Sequence, residues 1–204
     1  MSLKLKVCGM KYPANIEDVA MLKPDYLGFI FYKSSKRYVD DLSPDFVKGI
    51  KNIKKVGVFV NEEFANIQKA VTDYDLNLIQ LHGNENPAFV ERVKKLGVEV
   101  IKAFGISQKF DWEQLIAYEN LVDYYLFDTK SEDYGGSGES FDWSLLSKYV
   151  LNVPFFLSGG LSAENIEKAR GLTDVRLHAI DVNSKFESSA GFKDVQLLKS
   201  ILKK

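Results

Sequence analysis

Eight short apolar runs recur along the 204 residues, ending near Cys8, Phe31, Val60, Leu81, Phe104, Asp128, Ser158 and Val182, so that successive ends lie 21 to 30 residues apart. That interval holds one strand, one helix and two loops, the span of a βα unit. The segments between the runs carry helix punctuation. Asn86 is placed to N-cap, Pro87 occupies the first turn, Phe89, Val90, Val93 and Leu96 form one stripe, and Gly97 ends it. Similar stripes are Ile16, Val19 and Ala20 after the first run, Ile67, Ala70, Val71 and Tyr74 after the third, and Val195, Leu198, Ile201 and Leu202 after the eighth. The runs Val56–Val60 and Pro154–Ser158 are apolar without alternation, as in parallel strands covered on both faces. An open doubly wound sheet usually has five or six strands, whereas closing eight removes both exposed edges. The pattern therefore predicts a single α/β domain over residues 1–204, a (β/α)₈ TIM barrel. It sits at the short end of the range for that architecture, with no room for a lid domain.

Charge limits what such a barrel can bind. Twenty-seven basic against 28 acidic residues leave a net charge of −1, so no broad positive field is available for a nucleic-acid backbone or an anionic membrane. The expected partner is a small molecule, bound by local groups, with the protein a monomer or a homodimer. The single cysteine, Cys8, has no intramolecular disulfide partner, and the first ten residues lack the apolar stretch of a signal peptide. Together with apolar runs too short for a membrane span, these features predict a soluble, cytoplasmic protein. The basic tail Lys199, Lys203 and Lys204 reads as the dipole-matched end of the last helix.

Barrel enzymes carry their chemistry where strands end and βα loops begin. The polar residues at those positions are Cys8-Gly9, Lys36-Arg37, Gln80, His82, Gly83, Asp128-Thr129, Ser158-Gly159-Gly160, Asp181, Asn183 and Ser184. The strings around them, KVCGM, GFIFYKSSKRYV, GVFVNE, QLHGNE, LFDT with YGGSGESFDW, LSGGLSAENI and DVNS, lie in order over nearly the whole chain. They resemble phosphoribosylanthranilate isomerase.

The resemblance implies the Amadori rearrangement of N-(5-phosphoribosyl)anthranilate to 1-(2-carboxyphenylamino)-1-deoxyribulose 5-phosphate in tryptophan biosynthesis, an intramolecular oxidoreduction run by general acid/base catalysis without cofactor or metal. It makes Cys8 the general base and Asp128 the general acid. As a base, a thiol needs its pKa depressed by electropositive surroundings, and an aspartic acid near neutral pH needs the opposite shift. Without the family context, Cys8 reads as a small buried hydrophobe and Asp128 as a loop cap or the partner of Lys102 or Lys130. The resemblance further implies Arg37 as the ligand of the anthranilate carboxylate, with Lys36 beside it. The substrate phosphate falls to Gly159, Gly160, Asn183 and Ser184, through backbone N–H donors and a helix N-terminus. Other expected substrate-site residues are His82, read first as barrel-top support, Asp181, and Gly136 in the Gly135–Gly138 loop expected to close over substrate. His178 reads as packing.

Three strings depart from the family pattern. Relatives typically read CGIT, DVSSGVE and PG where this chain has Cys8-Gly9-Met10-Lys11, a Lys185-Phe186-Glu187 sequence after Asn183-Ser184, and Ala190-Gly191. Lys185 in place of glycine puts the phosphate loop in question, by loss of a left-handed backbone or gain of an ammonium. Two related phosphate-binding barrels fit less well. Indole-glycerol-phosphate synthase implies a lysine-rich acid and base, and a histidine-pathway isomerase an aspartate where Cys8 stands. A non-catalytic sugar-phosphate-binding barrel would have no need of Cys8 and Asp128 together.

Overall fold

A computed structural model describes residues 3–129 and 141–202. Eight strands, β1 (Lys4–Val7), β2 (Tyr26–Ile30), β3 (Lys54–Phe59), β4 (Leu78–Leu81), β5 (Glu99–Ile106), β6 (Tyr124–Thr129), β7 (Phe155–Leu157) and β8 (Leu177–Val182), pair in sequence order and close into a barrel. Every barrel pair is parallel, and closure runs from Lys4↔Ala179 to Val7↔Val182. The expected (β/α)₈ barrel is thus the fold of the chain.

Helices α1 (Pro13–Ala20), α2 (Pro44–Gly49), α3 (Phe64–Tyr74), α4 (Pro87–Lys94), α5 (Ile166–Arg170) and α6 (Val195–Leu202) cover the outside. Their starts follow from the sequence: Pro stands at the first turn of α1, α2 and α4, and the Asn86 side chain accepts from Phe89 N at 2.9 Å. Ile16 and Val19, Ile67 and Ala70, Val90 and Val93, and Leu198 and Ile201 are the buried stripes. Each such aliphatic side chain taken from water is worth roughly 1.5 to 3 kcal/mol.

Two connections depart from the helical expectation. After β5 and β6 the chain forms 3₁₀ turns, Trp112–Tyr118 and Trp143–Lys148. The apolar residues there recur every third position, Trp112, Leu115 and Tyr118, then Trp143, Leu146 and Tyr149, and all six pack on the core. A 3₁₀ helix has three residues per turn and lines those positions on one face, which an α-helix would splay. Asp111 and Asp142 start the turns by accepting from the N–H two residues on.

A further element lies between β8 and α6: a 3₁₀ turn, Ser184–Phe186, then an antiparallel hairpin of β9 (Glu187–Ser189) and β10 (Phe192–Lys193). Buried Asn15 of α1 clamps it, accepting from Lys193 N at 2.7 Å and donating to Lys193 O at 2.9 Å. The hairpin is thereby folded back over the mouth of β1.

The core has two compartments. Inside the barrel Tyr26, Val56, Leu78, Ile101, Leu126 and Phe156 fill the middle, and a larger cluster lies between strands and helices. At the lower end the β7–β8 register shifts, Phe155 pairing with Leu177 and Phe156 with Ala179. The extra residue, His178, turns onto Tyr26, Tyr124 and Phe156, and its Nε2 lies 2.8 Å from Tyr26 Oη. Burial lowers its pKa to about 4, so His178 is a neutral packing group, as its sequence position suggested. No described helix is long and apolar enough to cross a membrane.

Candidate active site

At the C-terminal ends of the strands a pocket opens to solvent. Cys8, Arg37, His82 and Asp128 line it, as do Gly159, Gly160, Asp181, Asn183 and Ser184. Nine of the eleven residues expected from the sequence therefore meet around one cavity; Gly136 and its Gly135–Gly138 loop lie outside the described residues. Lys36 is exposed and does not line the pocket.

Cys8 follows β1 and is 5 % exposed. Its place depends on Gly28 of β2, where a Cβ would sit 2.8 Å from the Cys8 sulfur and 3.1 Å from its Cα. Gly9 is equally constrained: its φ is +75°, and a Cβ would lie 2.6 Å from both Arg37 Cδ and Asn183 Oδ1. Two residues before Cys8, and on the same side of the strand, stands Lys6. Its ammonium is fully buried and donates to Asp181 Oδ2 and Gln80 Oε1, each at 2.8 Å.

The expected depression of the thiol is not what the pocket produces at rest. Burial pushes the Cys8 pKa up, and Lys6, whose charge and hydrogen bond both favour the thiolate, offsets this only in part. For Lys6 the balance goes the other way: burial opposes its charge, but Asp181 and Cys8 outweigh it, and the ammonium is held above the usual lysine range.

Asp128 stands at the end of β6 with its side chain 18 % exposed. Its Oδ1 accepts from Thr129 N at 2.8 Å, the local cap that such a residue often forms, and its Oδ2 faces His82 Nε2 at 3.5 Å. Lys102 is not its partner. That ammonium lies against Glu85 Oε2 at 3.2 Å and donates to Gly83 O at 2.9 Å, on the outer face of the barrel, where it holds the loop carrying His82. Lys130 lies outside the described residues. Gln80 bridges the barrel, with Nε2 2.8 Å from His82 Nδ1.

Arg37 is not a free fork. Its Nε donates to Glu187 Oε1 and Oε2 at 2.9 and 3.1 Å, and Nη2 donates to Oε2 at 2.7 Å. Glu187 also receives the fully buried ammonium of Lys193, which donates to Asn183 Oδ1 at 2.7 Å as well. Burial alone would push the Glu187 carboxyl up, but Arg37 and Lys193 overcome it and hold it below the ordinary range. Arg37 reaches the pocket only with the edge that Glu187 leaves open.

The loops after β7 and β8 meet on the far side. Gly159 and Gly160 have φ of +85° and +61°, and a Cβ on Gly159 would lie 2.4 Å from Thr129 Oγ1 and 2.9 Å from Asp128 Oδ1. Glycine lets this loop lie against the end of β6. The helix N-terminus expected there is displaced, because α5 begins at Ile166, six residues beyond Gly160. On this side the N–H groups nearest the pocket are those of the loop itself rather than of α5. Lys185 is exposed and outside the lining. Among the described residues no group donates to the buried Oδ1 of Asp181, and no cluster of three or more His, Cys, Asp or Glu is placed to hold a metal ion.

Three polar residues around the site were not named from the sequence, Lys6, Glu187 and Lys193, and Gln80 was named only by its place at a strand end. Lys6 and Gln80 left a signal, since each stands two residues before a pocket residue on the same strand and so shares its face. Glu187 and Lys193 left none, because only the hairpin brings them to Arg37.

The comparisons with known proteins agree with this geometry. A family profile described as PRAI, N-(5'phosphoribosyl)anthranilate (PRA) isomerase, matches residues 5–204. N-(5'-phosphoribosyl)anthranilate isomerase of Parabacteroides distasonis is 44% identical, over 97% of this chain and 91% of the relative. The crystal structure of phosphoribosyl anthranilate isomerase from Thermotoga maritima superposes with a TM-score of 0.85 at 36% identity, covering 99% of this chain and 98% of that one. A phosphoribosyl anthranilate isomerase solved in complex with reduced 1-(o-carboxyphenylamino)-1-deoxyribulose 5-phosphate gives 0.81 at 33% identity, covering 99% and 97%. With nearly its whole length matched, the chain belongs to the N-(5'-phosphoribosyl)anthranilate isomerase family and is an isomerase.

Proposed function

We propose that this chain performs the Amadori rearrangement of N-(5'-phosphoribosyl)anthranilate in tryptophan biosynthesis with Cys8 as general base and Asp128 as general acid. The observation that carries the assignment is that the thiol and the carboxyl group line one pocket from β1 and β6, three strands apart around the ring. In the first step Asp128 delivers a proton to the furanose ring oxygen while the anilino nitrogen lone pair expels it, opening the ring and leaving an iminium at the first sugar carbon. In the second, Cys8 removes the proton from the neighbouring carbon, and the electron pair moves to the iminium to give an enolamine. Tautomerisation then yields the amino ketone, 1-(2-carboxyphenylamino)-1-deoxyribulose 5-phosphate. The substrate's own nitrogen supplies the electron sink.

Only the thiolate can take the proton in the second step, so the reacting form is Cys8 after its own proton has left to solvent through the open pocket; burial disfavours that form and the Lys6 ammonium favours it. The iminium formed in the first step adds a second cation that favours the thiolate.

Substrate binding follows the same geometry. The open edge of Arg37 takes the anthranilate carboxylate, and the backbone amides of Gly159, Gly160, Asn183 and Ser184 take the phosphate, with Asp181 a further substrate-site residue in the pocket lining. A relative holding the reduced product analogue supports a ligand of this chemistry. The free Cys8 favours a reducing, cytoplasmic setting, with the chain acting as a monomer or a homodimer.

The test is kinetic. With phosphoribosylanthranilate generated in situ and its fluorescence followed, Cys8→Ala and Asp128→Asn should each lower turnover by roughly 10² to 10⁴, the usual worth of a positioned proton-transfer group. Unfolding temperatures close to the parent's would show that the fold is intact. Turnover retained in either variant refutes that residue's role.

A further inference from the structure

A continuous polar chain runs from buried Lys6 through the pocket lining to Asp128, and its members other than Asp128 have no part in the two proton transfers. Lys6 Nζ on β1 donates to Asp181 Oδ2 of β8 and to Gln80 Oε1 of β4, Gln80 Nε2 meets His82 Nδ1, and His82 Nε2 faces Asp128 Oδ2 of β6. Lys6, Gln80 and Asp181 are 0%, 1% and 5% exposed, so the protein itself must satisfy these groups.

The chemistry of Lys6 sets the direction of every bond that follows. An ammonium carries three donors and no lone pair. The Gln80 atom facing it is therefore the oxygen, and the other amide atom is the NH₂, which can only donate. His82 Nδ1 must accept that bond and so carries no proton. A neutral imidazole then has its single proton on Nε2, the nitrogen that faces Asp128. We infer that Lys6 and Gln80 are positioning residues that lock His82 in the Nε2–H tautomer and aim its proton at the Asp128 carboxyl group.

Three observations support the lock. Asp181 and Cys8 hold the Lys6 ammonium above the usual lysine range, which preserves the one condition the directions need. Asp181 of β8 is a second carboxyl group whose field reaches His82, and among the described residues Asp128 is the one that faces a ring nitrogen directly. The other Asp128 oxygen already accepts from Thr129 N.

The catalytic consequence rests on Asp128 being the acid; the tautomer does not. As Asp128 gives up its proton, the carboxylate that forms already has one N–H donor on one oxygen and a second aimed at the other. In the opposite tautomer a bare Nε2 would face the acid and compete for its proton.

The chain has two histidines, His82 and His178, so ¹⁵N-histidine labelling gives two ring systems, and loss of one in His82→Asn assigns them. Spectra are taken at pH about 8.5, above the ordinary imidazole range. The expected result for the parent protein is a protonated Nε2 and a bare Nδ1 on His82. Gln80→Glu places a carboxylate between Lys6 and His82 that can only accept, so the proton should appear on Nδ1. Turnover should fall roughly 10- to 100-fold, with KM changed less than about 3-fold, because histidine orientation serves the chemical step. Gln80→Met, which neither donates nor accepts strongly, should give a mixture of tautomers and an intermediate turnover, and it serves if the glutamate variant does not fold. A protonated Nδ1 in the parent overturns the inference. So does a tautomer unchanged in both variants, or one that changes while turnover does not. A parent protein inactive on phosphoribosylanthranilate that still shows the Nε2–H pattern and its loss in Gln80→Glu would refute the proposed reaction and support the lock.

Discussion

Replacing Glu187 by glutamine tests the hairpin that the barrel pattern did not reveal. The side chain is 4% exposed and lies between Arg37, at 17%, and Lys193, at 0%. Glutamine keeps its size but leaves two cations facing each other, one of them with no water to turn to. Removing one partner of a buried ion pair costs about 3 to 5 kcal/mol. Arg37 can recover some hydration, which places the expected cost near the lower end, about 3 kcal/mol. For a domain of this length that corresponds to a fall of roughly 6 to 12 °C in the unfolding temperature at pH 7.

The pH dependence supplies a second check on the same variant. Arg37 and Lys193 hold the Glu187 carboxyl below its unfolded value of 4.5. A depressed carboxyl contributes stability that is fully present above the unfolded pKa and is lost as pH falls through the folded one. The gap in unfolding temperature between parent and Glu187→Gln should therefore be widest at neutral pH, begin to narrow below about pH 4.5 and close as the folded carboxyl takes its proton. Thermal unfolding followed by circular dichroism from pH 7 to pH 3 measures it. A gap under about 1 °C at pH 7, or one that stays constant into acid, would refute the reasoning.

Two further outcomes follow from the site. In Gly28→Ala the new methyl would lie 2.8 Å from the Cys8 sulfur and 3.1 Å from its Cα, so the thiol must move; overpacking of this kind costs about 1 to 3 kcal/mol, and turnover should fall at least ~10-fold, an unchanged turnover showing that the base has no fixed place. Arg37→Ala should raise KM for the carboxylated substrate about 10- to 150-fold, the loss of a charge-assisted pair worth about 1.5 to 3 kcal/mol, and an effect confined to turnover would count against the carboxylate role.

The parts of this protein legible in the sequence are those set by local periodicity and by position along a strand. Eight apolar runs, the helix opened by Asn86-Pro87 and the apolar stripes after the first, third and eighth runs point to a closed parallel barrel, because each signal is complete within a dozen residues. Once the barrel is known, strand ends converge on one mouth, which is why Cys8, His82, Asp128, Gly159 and Asp181 could be named beforehand. Even the two 3₁₀ turns had a local cause, the three-residue repeats at Trp112 and Trp143.

Charge pairing was decided elsewhere. Whether Arg37 is free or held depends on a hairpin that brings Glu187 across 150 positions of sequence, and whether Cys8 ionises easily depends on how far burial outweighs an ammonium two residues away. The polar chain from Lys6 to Asp128 draws on four strands whose order around the ring places them together. Sequence determined the barrel and which residues stand at its mouth, because hydrophobic pattern acts along the chain; tertiary structure alone decided their protonation and partners, because electrostatics acts through space and grows with the exclusion of water.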